Sequence, residues 1–483
     1  MSDEAKDKKD EPKPDAPPRP DPPAPVETSH EITVNGEILR YRVTAGTLPI
    51  VDDATGETQA HVFFMAYILE SDTARPLMFS FNGGPGSASV WLHLGTIGTK
   101  RVVMADDAGA MPAPPYRVAD NPHTWLPFTD IVFIDPVGTG YSRPTKPEHG
   151  KKFWSVQGDI ESLGEFIRLY LTRYERWTSA LYLVGESYGT TRGAGIAGYL
   201  VDRGIAFSGI VLVSAVMQFQ TLEFDRGNDL VYPLFLPTYA ATAAYHDKLA
   251  PELCADLPRT LAEAEAFAEG AYTAALQKGD RLGEAERAAV LTQLSRLTGL
   301  SETFLDDCDL RPEIQRFCKE LCRRDRKTVG RLDSRLTGTD ASNGSDTPDY
   351  DAALAAISPP YTAAFNDYVR TSLGYRTDDV YHILGTGILE PWDWQSPNRY
   401  VETASGLQSA MAKNPHLKVF VASGYYDLAT PYFATEYTLS HMHLSPEARG
   451  CIITRYYPAG HMMYIHAPSL AQLQSDVQEF VGG

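Results

Sequence analysis

Long apolar segments are missing from this chain of 483 residues. No run reaches the roughly eighteen consecutive apolar residues that a membrane-spanning helix needs, so we expect no membrane partner. Residues 1–28 consist largely of Lys, Asp, Glu and Pro, and they contain no apolar stretch of about seven to fifteen residues such as a secretory signal peptide carries. We therefore expect a disordered N-terminal tail over 1–28 and a cytoplasmic location.

Basic residues and cysteines are also scarce. The 43 Lys and Arg residues stand against 62 Asp and Glu, a net charge of -19, which argues against a nucleic-acid partner. Four of the five cysteines cluster in one region and could form disulfides, but the odd count and the absence of a signal peptide favour free thiols. Neither the pairing nor the oligomeric state follows from the sequence. The cysteines are Cys254, Cys308, Cys318, Cys322 and Cys451.

What the chain does contain is an alternation of short apolar runs and amphipathic segments, typical of an α/β fold. Two extended segments, 31–44 and 61–69, predict an antiparallel start to the sheet. Buried strands are predicted at 77–81, 130–134, 181–184, 209–213, 417–423 and 451–457, and a helix at 158–174. Alanine-rich helices, including 261–277 and 285–297, interrupt this alternation. We therefore predict a mostly parallel central sheet flanked by helices and built from 29–217 and 378–483, with a helical cap domain inserted at 218–377.

The segment Gly185-Glu186-Ser187-Tyr188-Gly189 lies between a predicted strand and a predicted helix. This arrangement is the sequence form of a nucleophile elbow, in which a sharp turn exposes a serine above the edge of a sheet. The flanking positions need glycine because a Cβ atom there would collide with the packed strand or helix. Ser187 is the predicted nucleophile.

A serine nucleophile needs a base and an acid, which should follow it in the order acid, then histidine. Asp427 lies in the loop that leaves the predicted strand 417–423, and His461 lies in the loop that leaves 451–457. His466 also follows that last strand, but it lies farther from the strand end. We therefore predict Asp427 as the acid and His461 as the base.

An oxyanion hole requires backbone N–H groups that already point at the developing charge. The predicted strand 77–81 breaks into the glycine-rich loop Asn82-Gly83-Gly84-Pro85-Gly86-Ser87. We assign the N–H group of Gly84 and that of Tyr188, the residue after the nucleophile, as the two donors.

These segments, with Asp-Pro-Val-Gly-Thr-Gly-Tyr-Ser at 135–142 and Gly-His-Met at 460–462, resemble the signature segments of serine carboxypeptidases, peptidase family S10. The resemblance implies an α/β-hydrolase fold, and it implies that the substrate's terminal carboxylate is held by Asn82, Gly83 and Glu186. A buried carboxyl group that stays neutral can donate a hydrogen bond to an anion. Family members commonly carry a second Glu fourteen residues after the Asn, where this chain has Thr96.

We therefore predict a serine-type carboxypeptidase that hydrolyses C-terminal residues from peptides through an acyl-enzyme intermediate. This chemistry requires no metal and no organic cofactor, and the substrate partner is a peptide. Two alternatives stay open: an esterase or acyltransferase on the same scaffold, and a binding protein without activity. Asn82 and Glu186 favour the peptidase, because an ester offers no anion for them to hold.

Overall fold

A ten-stranded mixed sheet runs through the protein, whose computed structural model describes residues 22–105, 109–385 and 392–482. The order of its strands is β1-β2-β3-β7-β4-β9-β10-β13-β14, with β8 beside β3, and two further strand pairs, β5–β6 and β11–β12, stand apart. The strands are β1 Val26–Val34, β2 Glu37–Val51, β3 Thr58–Leu69, β4 Leu77–Phe81, β5 Lys100–Val102, β6 Val118–Asp120, β7 Asp130–Ile134, β8 Arg143–Pro144, β9 Leu181–Ser187, β10 Gly209–Ala215, β11 Thr328–Val329, β12 Thr337–Gly338, β13 Lys418–Gly424 and β14 Ile452–Tyr457.

Helices cover both faces of this sheet and form a separate layer beyond its edge. They are α1 Val90–Leu92, α2 Gly150–Phe153, α3 Val156–Arg173, α4 Tyr188–Val201, α5 Val231–Tyr245, α6 Pro251–Ala255, α7 Leu257–Phe267, α8 Thr273–Lys278, α9 Glu284–Thr298, α10 Glu302–Asp307, α11 Ile314–Glu320, α12 Ala352–Thr371, α13 Ala404–Lys413, α14 Tyr432–Ser440, α15 Pro446–Gly450 and α16 Ala467–Gly482. None of the helices in the described ranges is long and apolar enough to cross a membrane.

The sheet begins with antiparallel strands, as predicted, since β2 pairs with β3, but the hairpin between β1 and β2 was not predicted. The sequence analysis predicted one extended segment over 31–44, but β1 and β2 pair across a turn at Asn35 and Gly36. Both turn residues have positive φ, 52° and 84°. Asn-Gly is the preferred pair for such a turn because both residues tolerate the left-handed region. β1 also begins at Val26, inside the predicted tail 1–28, and residues 1–21 of that tail lie outside the described residues.

The second half of the sheet is parallel, as predicted. β7, β4, β9, β10, β13 and β14 pair in parallel with their neighbours. Parallel strands buried on both faces have near-continuous apolar sequences, which explains why their positions could be predicted. The carboxyl ends of parallel strands meet at one edge, so the loops after β4, β9, β13 and β14 gather there.

Two packed layers enclose the sheet, and a third apolar cluster lies in the helical insertion. One face is covered by α3, α4 and α13, and the other by α12 and α16. Helices α5 to α11 pack mainly on one another and on the start of α14. The predicted cap, 218–377, therefore includes one helix, α12, whose apolar side chains pack against the sheet. The domain boundaries themselves stay a prediction.

Candidate active site

Ser187 lies at the junction of β9 and α4 in a backbone conformation that only a tight turn imposes, with φ 60° and ψ -132°. The surrounding glycines are sterically required. A Cβ atom on Gly185 would collide with the carbonyl oxygen of Gly189, and one on Gly189 would lie 2.9 Å from the carbonyl oxygen of Phe81. The predicted strand–turn–helix is present, and it presents the serine at the carboxyl edge of the sheet.

The histidine and aspartate predicted from the strand-end loops lie in direct contact. His461 Nδ1 is 2.8 Å from Asp427 Oδ2, and both side chains are almost fully buried. Asp427 also accepts hydrogen bonds from the backbone N–H groups of Ala429 and Thr430, at 2.8 and 3.0 Å, and from the Thr430 hydroxyl at 2.6 Å. These bonds fix the carboxylate, which in turn orients the imidazole through Nδ1.

The electrostatic setting of His461 favours its charged form. Burial works to lower the pKa of the imidazole, but the Asp427 carboxylate and, more weakly, Glu186 overcome this and raise the pKa above its ordinary value. An imidazolium beside Asp427 is therefore stabilised, which is what a base requires when it takes a proton from a serine hydroxyl.

The glycine-rich loop after β4 passes directly against the elbow. A Cβ atom on Gly83 would collide with the backbone nitrogen of Tyr188 and would lie 2.7 Å from the carbonyl oxygen of Glu186. Gly84 has φ 103°, and a Cβ atom there would lie 2.7 Å from the nitrogen of Gly86. Only glycine allows this approach, which brings the Gly84 backbone to the same cavities as Ser187.

A buried arginine that the sequence analysis did not identify anchors this loop. Arg192 of α4 is fully buried, and its Nε lies 2.7 Å from Asp159 Oδ2 of α3. The same guanidinium donates a hydrogen bond to the carbonyl oxygen of Asn82. The ion pair therefore connects the elbow helix, its neighbour and the glycine-rich loop.

Glu186, next to Ser187, is a buried carboxyl group whose pKa is raised, so that it keeps its proton to a higher pH than an exposed glutamate. Burial raises its pKa to about 7, although the positive charge of His461 and a hydrogen bond from Tyr464 work in the opposite direction. The Tyr464 hydroxyl donates to Glu186 Oε2 at 2.6 Å. Tyr464 was missed by sequence reasoning, and its only signal is its place three residues after His461.

The side-chain amide of Asn82 lies in the same cavity as Glu186. Its Oδ1 accepts a hydrogen bond from the backbone N–H of Leu92 at 3.0 Å. Its Nδ2 is buried and makes no hydrogen bond of normal geometry among the described residues, although it lies near enough to Glu186 and Tyr464 to work to lower the pKa of both. An unpartnered buried donor is costly, so this nitrogen fits a site that is completed by an acceptor on a ligand.

Thr96 lies in a π-helical turn at His93–Ile97 that follows α1, and its side chain is buried. It supplies no second carboxyl group beside Glu186. A Cβ atom on the preceding residue, Gly95, would collide with the ring of Tyr464. Gly95 thus leaves room for the tyrosine that contacts Glu186.

Two cavities meet at Ser187. The smaller, of about 240 Å³, is lined by Asn82, Glu186 and His461, and the larger, of about 480 Å³, by the aromatic and acidic residues Phe219, Phe235, Glu223, Asp225 and Glu313. Gly84, Ser187 and Arg331 line both. Ser187 therefore lies between a small compartment that contains one carboxyl group, that of Glu186, and a larger one that contains three.

The other candidates of the sequence analysis lie elsewhere. His466 Nδ1 is 2.7 Å from the Ser469 hydroxyl at the start of α16, apart from Asp427. All five cysteines are free thiols in the structure.

The chain resembles several carboxypeptidases over part of its length. It is 30% identical to serine carboxypeptidase-like 36 of Arabidopsis thaliana over 133 residues, which cover 26% of this chain and 24% of that protein. It is 25% identical to the pheromone-processing carboxypeptidase KEX1 of Candida tropicalis over 144 residues, which cover 27% of this chain and 17% of the relative. The alignments thus span a quarter or less of these two relatives.

These relatives overturn the predicted cytoplasmic location. The KEX1 relatives are named for processing pheromones, which are products that cells export. The prediction was wrong because it rested on the composition of residues 1–28 and on the cysteine count. Neither property determines to which compartment a chain is delivered.

The family described as serine carboxypeptidase matches residues 51–450, which is most of the chain. The solved structure of Kex1(Δ)p, a prohormone-processing carboxypeptidase from Saccharomyces cerevisiae, superposes with a TM-score of 0.55 at 15% identity and covers 92% of this chain and 91% of that one. This likeness confirms the α/β-hydrolase fold. The chain belongs to the serine carboxypeptidase family.

Proposed function

We propose that the protein is a serine-type carboxypeptidase that removes residues one at a time from the C-termini of peptides. Ser187 is the nucleophile, His461 the base and Asp427 the residue that orients it. The N–H groups of Gly84 and Tyr188 form the oxyanion hole. Family membership supports a peptidase, and the arrangement around the elbow supports these individual roles.

The reaction proceeds in two halves. Ser187 Oγ attacks the carbonyl carbon of the last peptide bond, and its proton passes to His461 Nε2. The oxyanion is held by the two backbone N–H groups, and the imidazolium then protonates the departing amine of the terminal residue. Water, deprotonated by His461, attacks the acyl-enzyme, and Ser187 regains its proton from the imidazolium.

The observation that carries the proposal is the pairing of Glu186 and Asn82 in the smaller cavity. A carboxyl group with a pKa of about 7 and an unpartnered amide donor, both buried beside the nucleophile, suit an anionic ligand group. In a peptide, the group that lies one residue beyond the scissile carbonyl and carries this charge is the terminal carboxylate. An internal peptide bond or a neutral ester offers no such anion.

A mixture of peptides with defined C-termini tests the proposal. Mass spectrometry should show stepwise loss of terminal residues, complete loss of this activity in Ser187→Ala, and much slower processing of the same peptides with amidated ends. Cleavage within the peptides, or hydrolysis of aryl esters with no release of C-terminal residues, would refute the carboxypeptidase assignment.

A further inference from the structure

A loop of the helical insertion passes between the strand-end loops that carry Asp427 and His461. The backbone N–H of Leu428 donates to the carbonyl oxygen of Arg331 at 3.1 Å, and the N–H of His461 donates to that of Leu332 at 2.6 Å. The segment 330–336 therefore contacts the base directly and the acid through the residue next to it.

The backbone of this loop is fixed from several sides. The Asp351 carboxylate, at the start of α12, accepts from the N–H groups of Arg331 and Leu332 at 3.2 and 3.1 Å. Arg335 forms a buried ion pair with Asp333, and it donates to the carbonyl oxygen of Pro458 at 3.0 Å. Asp351 joins the loop to α12, and Arg335 joins it to the segment after β14, so the backbone of residue 331 is held without the use of its side chain.

The side chain of Arg331 differs from those of the other arginines near the site in having no carboxylate partner among the described residues. Arg192 and Arg335 each form a buried ion pair. No hydrogen bond or ion pair of the Arg331 guanidinium exists within the ranges that the structure describes, although the side chain lines both cavities at Ser187. It therefore presents to both cavities a positive charge with no direct hydrogen-bond partner in the described part of the chain, and this charge also works to lower the pKa of His461.

The charges around Arg331 indicate which anion it meets. The larger cavity carries Glu223, Asp225 and Glu313, which would repel an acidic side chain of a substrate. The smaller cavity carries the unpartnered Asn82 nitrogen and one carboxyl group, Glu186, whose proton is retained to higher pH by burial. An anion is therefore accommodated on the Asn82 side of Ser187.

We propose that Arg331 binds the terminal carboxylate of the peptide substrate and completes the anion site formed by Asn82 and Glu186. The inference deepens the proposed function and rests on it. A guanidinium presents a planar fork of N–H donors that matches a carboxylate, and bonds between two charged groups are the strongest hydrogen bonds in proteins. Arg331 would thus supply a positive charge, which no carboxyl group can, and the hydrogen-bond donors that are missing where Thr96 stands in place of a second acid.

The test compares Arg331→Met, which keeps the apolar stem and removes the charge, with Arg331→Lys. Arg324→Met is the matched control, because Arg324 is an exposed arginine of the same insertion. For a peptide with a free carboxylate, KM should rise at least about tenfold in Arg331→Met, less in Arg331→Lys and not at all in Arg324→Met. KM for the amidated peptide should stay unchanged in all three.

A second measurement separates binding from catalysis. In a Ser187→Ala background, calorimetry should show that the free-acid peptide binds at least about tenfold tighter than the amide, and that adding Arg331→Met removes most of this difference. Equal effects of Arg331→Met on acid and amide, or no effect on either, would overturn the inference and leave the carboxypeptidase proposal standing. Failure of the wild type to release C-terminal residues would overturn both. A role confined to folding would lower the melting temperature of Arg331→Met and leave acid and amide equally affected.

Discussion

Raising the pH should weaken binding of free-acid peptides through a single group, Glu186. Below its pKa of about 7, which burial sets, Glu186 is neutral and can donate a hydrogen bond to the terminal carboxylate. Above that pH it is ionised and repels the same carboxylate. The sign is therefore fixed: KM rises with pH.

The magnitude follows from the pKa. At pH 6 most of the enzyme carries the proton, and at pH 8 roughly one molecule in ten does, so KM should rise about tenfold over this range if only the neutral form binds. Over the same range kcat should rise, because Asp427 raises the pKa of His461 against the effect of burial, and the base works when deprotonated.

The assay is a profile of kcat and KM from pH 5 to 8 for one peptide in acid and amide forms. Glu186→Gln is the matched variant, since its amide donates a hydrogen bond at every pH and its oxygen can still accept from Tyr464. We expect a flat KM for the amide with wild type and for the acid with Glu186→Gln. The same rise of KM in both enzymes, or equal KM values for acid and amide at every pH, would refute the reasoning.

Four further predictions address the neighbouring groups. Ser187→Ala and His461→Ala should each lower kcat by about 10⁴ to 10⁶ with unchanged circular dichroism, and Ser187→Ala should abolish labelling by a fluorophosphonate; retention of a tenth of the turnover would exclude the residue concerned. His466→Ala should cost less than about tenfold in kcat, since its ring contacts Ser469 and not Asp427; a larger loss than that of His461→Ala would move the base. Tyr464→Phe removes a hydrogen bond that favours ionised Glu186, so the rise of KM should shift to higher pH; an unchanged or lower midpoint would contradict this contact. The pKa of Glu186 is about 7 in the folded protein and 4.5 for an ordinary glutamate. Its contribution to the free energy of unfolding, about 3 kcal/mol at most, is therefore present below pH 4.5 and is lost as the pH rises through 7. Urea titrations of Glu186→Gln should lack this loss.

The parts of the fold that could be predicted are those with a local signal. Leu77–Phe81 and Asp130–Ile134 have the predicted bounds, because short strands buried on both faces are continuous apolar runs. Ser187, Asp427 and His461 could be proposed because each follows such a strand, and parallel strands bring their carboxyl ends to one edge. The hairpin at Asn35 and Gly36 also had a local signal, the Asn-Gly pair, but the apolar pattern on either side was interpreted as one strand.

The parts that could not be predicted depend on contacts between distant positions. Tyr464 and Glu186 are separated by 278 residues, and nothing near either residue indicates the other. The same holds for Arg192, whose buried partner lies on another helix. It also holds for Arg331, which belongs to the insertion and lies beside the site because backbone hydrogen bonds join its loop to Leu428 and His461. Helix α12 falls within the predicted cap, 218–377, whereas its aromatic side chains pack against the sheet.

Trapping the covalent intermediate tests the central claim most directly. The enzyme is mixed with excess peptide bearing a free carboxylate, quenched in acid within the first turnover, and digested for mass spectrometry. We predict that the fragment containing Ser187 carries the substrate shortened by its last residue, and that the amidated peptide gives little of this adduct. An adduct on another residue, or one formed equally from acid and amide, would contradict a carboxypeptidase that recognises its substrate by the terminal carboxylate.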